Sequence, residues 1–425
     1  MVRPIQAFFE LEAASGIVLL ACATAALVWV NLAGAQSYRA LVEAPISVMV
    51  GGAAVRFTLL QLVNDGLMTV FFFVVGMEIK RELVVGELAA PSQAALPAVA
   101  ALGGMIAPAA LFLAWNAGRP GEPGWGVPMA TDIAFTVGVL ALLGKRVPPA
   151  LVVFVTALAI FDDIGGILVI AVFYGGALDA RWLAAAAALT ALLAAFSARR
   201  VRSGTAYLAV GALLWYALHA SGIHATIAGV ALGLAIPARG RSAPREILEA
   251  LARDLADVVR RPPAEADDEG CLLAAGDRIE ELEAPLDRFE RRLHPWVAFG
   301  VMPLFALVNS GVDLRGLAPG DATGNVAVGV AVALLAGKPI GIFAFTVAAV
   351  KLGFARVPGD ASLVKLLGVS VVAGIGFTVA LFIAGLAYAS HPDLLDQAKL
   401  GILAGSLTSG LAGALIIRLT PPADG

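Results

Sequence analysis

The chain has 425 residues, 60% of them hydrophobic and only 14% charged, with a mean hydropathy of +0.88. Soluble domains run closer to ~25% charged, so the expected solvent for this chain is a lipid bilayer. A formal net charge of −3 gives no sign of a nucleic-acid partner, and the two cysteines, Cys22 in an apolar run and Cys271 in a charged one, predict neither a disulfide nor a metal site.

The first apolar run covers about residues 15–32. Glu10 and Glu12 precede it where a secretory signal would be basic, so it is expected to remain as a membrane helix. Residues 35–57 follow, with alternating β-branched positions around Gly51-Gly52, a pattern compatible with a hairpin. Further spans begin near positions 58, 93, 125, 148, 182, 205, 222, 294, 325, 365 and 398. The total is about twelve, within one membrane domain over residues 1–425, and each approaches the 17–25 residues that cross the hydrocarbon core. The weakest divisions are between the seventh and eighth spans and at the short fourth. Residues 238–293 form a long polar segment, with amphipathic stretches at 245–259 and 277–293 around an acidic, proline-containing middle that is expected to be mobile. Lysines and arginines crowd into the segments on the N-terminal side of the membrane, even with this long loop set aside. The positive-inside rule then predicts cytoplasmic termini, a cytoplasmic 238–293 loop and a periplasmic 35–57 loop in a bacterial inner membrane.

Ionisable side chains at membrane depth cost several kcal/mol each and are functional candidates by default. Asp162 and Asp163 lie near the middle of the fifth span. Neighbouring helix positions differ by about 100°, so one carboxylate can meet another helix while its neighbour faces a cavity. A helix end at the interface is the competing explanation, but the apolar runs on either side are each too short to span alone. In the fourth span, Pro123, Gly124, Gly126 and Pro128 break the helical pattern just before Thr131 and Asp132. Asp132 either neutralises a half-helix N-terminus at depth or is an ordinary cap at the membrane surface. Lys338, between Gly337 and Pro339 in the tenth span, is too deep to snorkel and needs a carboxylate, either Asp162 or Asp163. Such a pair is either purely structural or one that opens when an ion binds. Gly374 and Gly376 interrupt the eleventh span. Spans four and eleven, seven apart, run in opposite directions, and inverted repeats place ion sites where two such interrupted helices cross. Glu78, Lys80, Arg81 and Glu82 cluster at one end of the second span, where a solvated helix end is the simpler explanation. Asp65, beside Asn64, lies deeper and could line a funnel, and His224 sits at the turn between spans seven and eight.

The segments 64–68, 76–83, 130–135, 161–165, 224–226, 293–296, 337–339 and 374–378 follow one another in the order seen in NhaA-type sodium/proton antiporters. The chain resembles that family over nearly its whole length, and the inverted-repeat rule has this family among its own examples. The resemblance implies an all-α polytopic membrane protein with two discontinuous crossing helices at spans four and eleven. It implies pH-dependent, electrogenic exchange of Na+ or Li+ for H+, with Asp162 and Asp163 carrying the ions, Asp163 the more direct ligand, and Thr131 close by. Lys338 would pair with Asp162 and balance facing helix C-termini, while Asp132 would balance facing N-termini. Glu78, Arg81, Glu82, His224 and Glu290 match positions tied to pH response near a cytoplasmic funnel, to which Asp65 is added. A homodimer through residues 35–57 is also implied. The 238–293 segment is longer than the family pattern, and Arg291 stands where a histidine can occur.

No nucleotide-binding loop is present, so the expected driving force is ionic, with no ATP and no cofactor. Other classes fit less well. An intramembrane aspartyl protease would hold its aspartates on different helices, and a prenyltransferase would repeat its aspartate-rich motif. A channel would not couple two fluxes, and bile-acid-type symport is a distant analogy of fold.

Overall fold

The computed structural model describes residues 2–50, 53–201, 203–239, 252–253, 256, 284–315 and 324–421. Most of the long polar segment, including most of the amphipathic stretch at 245–259, the acidic middle and Cys271, lies outside the described residues. The described chain is helical apart from one small hairpin, as its uninterrupted apolar runs require: lipid offers no hydrogen-bond partner to an open backbone.

Helix α1 (Val2–Val28) ends in a π-turn at Trp29–Ala33, and α2 (Ala35–Val42) leads into the antiparallel strands β1 (Pro45–Val50) and β2 (Ala53–Thr58). The strands pair from Pro45 opposite Thr58 to Val50 opposite Ala53. Thr58 then switches the chain back to helix with a capping box: its hydroxyl accepts from Gln61 N (3.2 Å), and Gln61 Oε1 accepts from Thr58 N (2.9 Å). The helix continues through a π-turn at Leu62–Leu67 into α3 (Met68–Val84), followed by α4 (Pro91–Asn116).

A 3-10 segment at Glu122–Met129 precedes α5 (Ile133–Leu143), and α6 (Pro149–Phe173) carries the aspartate pair. Helices α7 (Ala180–Ala198), α8 (Gly204–Ser221) and α9 (Ile227–Ala235) follow. Beyond the long segment come α10 (Pro285–Trp296), a π-turn at Val297–Val301 and α11 (Met302–Asn309). Then α12 (Asn325–Val332) passes through a π-turn at Ala333–Gly337 into α13 (Lys338–Lys351). The last helices are α14 (Leu363–Val372), α15 (Phe377–Ala387) and α16 (Pro392–Leu419).

Eight helical stretches among the described residues are long and apolar enough to cross a membrane alone, and the α14–α15 pair, bent by 47°, makes a ninth. Three expected spans fall short by that measure. One is α9, whose nine residues extend only about 14 Å, roughly half the hydrocarbon core. The second, α8, has 18 residues, but Thr205, Tyr207, Trp215, Tyr216, His219 and Ser221 dilute its apolar character. In the third, polar α10 precedes the π-turn and α11, so no single uniform apolar helix forms there.

Close helix approach positions the middle of the bundle. Gly103 of α4 faces Gly341 of α13 so tightly that a Cβ on either would collide with the other's carbonyl oxygen. Small residues at such crossings substitute packing for the hydrophobic effect, which is weak between helices in lipid. In the π-turn before α13, the Lys338 amide donates back to Ala333 O. The next π-bond would need an N–H from Pro339, which has none. The Leu334 carbonyl left over accepts from Ser409 Oγ of α16 instead (3.4 Å). Widened turns of this kind often mark functional sites.

Candidate functional site

Two breaks meet at the centre of the bundle. Residues 130–132 separate the 3-10 segment from α5, and residues 373–376 separate α14 from α15. They are tied directly, since Asp132 N donates to Ile375 O at 2.7 Å. Asp132 is 2% exposed. Its Oδ1 accepts from Phe135 N in the first turn of α5 (3.1 Å). Its Oδ2 accepts from Thr378 N (3.0 Å) and Thr378 Oγ1 (2.5 Å) in the first turn of α15. One carboxylate therefore caps two helices, where its charge opposes both positive dipole ends. Of the two readings left open by the sequence, it is a cap, but a buried and double one. Ser406 Oγ adds to the α15 cap, accepting from Gly376 N and Phe377 N at 3.3 Å each.

The opposite ends of the broken helices face Thr131 and Lys338. Lys338 Nζ lies 2.8 Å from Asp162 Oδ2, and both side chains are fully buried. The same ammonium donates to Met129 O, the last carbonyl of the 3-10 segment. Thr131 Oγ1 donates to Asp162 Oδ2 (2.6 Å) and lies 3.1 Å from Ala373 O, at the end of α14. The ammonium thus meets an orphan carbonyl of the 3-10 segment, and the Thr131 hydroxyl sits between Asp162 and the end of α14. Asp162 Oδ1 has no hydrogen-bond partner. Gly374 and Gly376 are places of close approach: a Cβ on Gly374 would sit 2.5 Å from Leu334 O, and one on Gly376 would sit 3.1 Å from Ala130 O.

Asp163 turns away from this cluster, as its place next to Asp162 on a helix requires. It lines a cleft of about 80 Å³ with Ser15, Glu78, Thr131, Asp132 and Thr378. His294 and Met302 of the α10–α11 stretch close another side. No cluster of three metal-binding side chains occurs among the described residues.

The residues expected at a funnel separate into two groups. Arg81 pairs with Glu290 of α10 and lies 3.6 Å from Glu82, and Glu78 lines the cleft one turn away. Burial pushes the Glu290 carboxyl up, against the opposing pull of Arg81. Asp65 and His224 do not join this group. Asp65 precedes Glu78 by 13 residues, roughly 20 Å along the helix. Its Oδ1 is 3.7 Å from His224 Nε2, while His224 Nδ1 bonds Thr226 Oγ1 at 2.8 Å and the ring meets Phe382 edge-on. The spacing from the Leu62–Leu67 π-turn into α3 sets Asp65 and His224 apart from the Arg81–Glu290 group.

Several contributors escape sequence reasoning. Met129 acts through its backbone, which carries no residue signature. Thr378 and Ser406 read as ordinary small polar residues in apolar helices. Asn64 and Asn309 exchange amide hydrogen bonds between helices at 3.2 and 2.8 Å. Two asparagines in separate apolar runs give a faint signal for such a pair.

These features define an all-α, multi-pass membrane protein built around a buried, charged helix crossing. The family model described as "Na+/H+ antiporter 1" matches residues 6–417, and the chain belongs to that family. The chain is 64% identical over 421 residues to the Na(+)/H(+) antiporter NhaA of Anaeromyxobacter sp. (strain Fw109-5), covering 99% of this chain and 92% of the relative. It is 53% identical over 415 residues to NhaA 1 of Myxococcus xanthus (98% and 92% covered), and 44% identical over 421 residues to NhaA of Rhodopirellula baltica (99% and 94% covered). It is a secondary transporter and not an enzyme.

Proposed function

We propose that the chain exports Na+, or Li+, in exchange for H+ across a bacterial inner membrane, with Asp163 and Asp162 as the shared binding groups. The observation that carries this reading is the unequal environment of the two adjacent carboxylates. Asp162 is held by Lys338 and Thr131, while Asp163 lines the cleft. Around the crossing, Asp132, Asp162 and Asp163 face one ammonium, an excess of negative charge that either a sodium ion or protons can reduce. The two cargoes compete for the same oxygens, which couples the fluxes. The carboxylates and hydroxyls suit a hard cation. If more protons than sodium ions cross in each cycle, exchange is electrogenic, and the membrane potential contributes about 2.3 kcal/mol per charge per 100 mV.

The finer architecture belongs to the same proposal. Adding α8, α9 and the α10–α11 stretch to the nine apolar spans gives twelve. The crossings at 130–132 and 373–376 are the discontinuous helices of an inverted repeat. Both termini are cytoplasmic, so Glu78, Arg81, Glu82 and Glu290 form the cytoplasmic, pH-responsive mouth, and Asp65 with His224 lies toward the periplasm. Residues 35–57 are periplasmic, and their strands offer an edge for pairing with a second copy.

The test is proton flux in everted vesicles from a host lacking antiporters. With an acid-inside gradient, sodium should discharge it and potassium should not, and Asp163→Asn should be silent. A gradient indifferent to sodium from pH 6.5 to 9, with the protein folded and inserted, would sink the proposal.

A further inference from the structure

The segment Glu122–Met129 links the membrane surface to the ion site, yet it is wound as a 3-10 helix. Such helices make poorer hydrogen bonds and rarely persist beyond a few residues, so the segment needs external support. Two tyrosines at its far end supply it. Tyr388, the residue that ends α15, is 1% exposed and donates its phenol to Gly121 O at 2.7 Å. Tyr174, the residue that ends α6, donates to Pro123 O at 2.8 Å and accepts from Gly126 N at 3.2 Å.

The glycines beside these contacts follow from them. A Cβ on Gly124 would fall on the Tyr388 hydroxyl, and one on Gly126 would lie 2.9 Å from the Tyr174 hydroxyl. Composition marks these glycines only as helix breakers; the structure makes them seats for two phenols. Trp125 completes the contact by meeting Phe173 edge-on, with ring centroids 5.0 Å apart.

The same two helices hold the other end of the segment. Helix α6 reaches it through Asp162 and Thr131, and α15 through Thr378 and Asp132. Each helix therefore grips the 121–132 stretch twice, once by a tyrosine and once at the charged crossing. We infer that Tyr174 and Tyr388 are positioning residues for the ion site: they set the height of the 3-10 segment, and so hold the Met129 carbonyl, Thr131 and Asp132 in register with Lys338, Asp162 and α15. Neither phenol touches the cargo. In its effect on exchange, the inference rests on the antiport reading above.

Two measurements on the full-length protein test it. The first is amide hydrogen exchange on purified wild type, Tyr174→Phe, Tyr388→Phe and the double variant. The Phe variants keep the rings and lose only the hydroxyls. Faster exchange is expected across 121–132, reaching Thr131 and Asp132, with α16 unchanged. The second is sodium-driven proton flux in everted vesicles. Tyr388→Phe should raise the half-saturating sodium concentration about three- to ten-fold, the scale of its one lost hydrogen bond, and Tyr174→Phe, which loses two, at least as much, while the maximal rate stays within about two-fold. Gly124→Ala should give the same split, and combining it with Tyr388→Phe should cost less than the product of the two, because both act on one contact.

Unchanged protection at Thr131 and Asp132 overturns the inference. Lower melting temperature with an unaltered half-saturating concentration also overturns it, since the tyrosines would then serve stability alone. Wild-type vesicles without sodium-driven flux would refute the antiport reading by itself. The positioning role is then decided by amide exchange at Thr131 and Asp132.

Discussion

Lys338–Asp162 and Arg81–Glu290 are both ion pairs between helices, but they sit in different surroundings. The first pair is fully buried at the crossing, whereas the Arg81 and Glu290 side chains are 34% and 13% exposed. A buried pair gives up hydration on both partners, and its mutual attraction returns that only with good geometry and further hydrogen bonds. Lys338 and Asp162 have such support from Met129 O and Thr131, yet an apolar substitute would stabilise the bundle as well or better. Retaining charge there makes sense only if charge is used. Arg81–Glu290 keeps part of its surface in contact with solvent, so separating it costs less than separating the fully buried pair.

The sharpest way to break the comparison is at the cleft. Asp163→Asn, which keeps shape and loses charge, should eliminate sodium-driven proton movement in vesicles, with a melting temperature within a few degrees of wild type. Next in size is Asp162→Asn, which strands the Lys338 ammonium and should cost about 3–5 kcal/mol in denaturation. Combining it with Lys338→Met should return most of that loss while exchange stays impaired. If the single variant is as stable as wild type, Lys338 has another route to neutrality. Thr378→Val removes a hydroxyl that donates to the buried Asp132 and should cost about 1.5–3 kcal/mol, read as a lower midpoint of denaturation.

The smallest effect belongs to Glu290→Gln, at under about 1 kcal/mol. Its value lies in its pH dependence. The Glu290 carboxyl is raised, so the fold holds that proton more tightly than the unfolded chain does. This contribution to stability is complete below the ordinary glutamate range and is lost as pH rises through the raised value. Melting curves across that window should therefore be flatter for Glu290→Gln than for wild type. Parallel curves would remove Glu290 as a titrating group.

How far the sequence could anticipate this molecule depended on what each feature costs in lipid. Asp132, Asp162, Asp163 and Lys338 stood out because a charge in an apolar run is expensive wherever it points. Their pairing was less visible: either aspartate could have met Lys338 until α4 and α13 fixed which face of α6 was presented. Asp65 was legible as deeper in the second span than Glu78, but its contact with His224 depends on how separate helices pack. The span count was read from apolarity, which does not register that α9 has nine residues. The tyrosines were silent because a phenol at a helix end is unremarkable until its hydroxyl is seen against a backbone oxygen.

Asp132 has one consequence beyond charge balance. Its two oxygens anchor α5 and α15 separately, and its own amide is bonded across the second break to Ile375. The two half-helices are riveted through one residue. Neither can slide by a turn without uncapping, so they travel as one rigid piece, and any rocking of the molecule must hinge elsewhere, at the borders of the crossing and not within it.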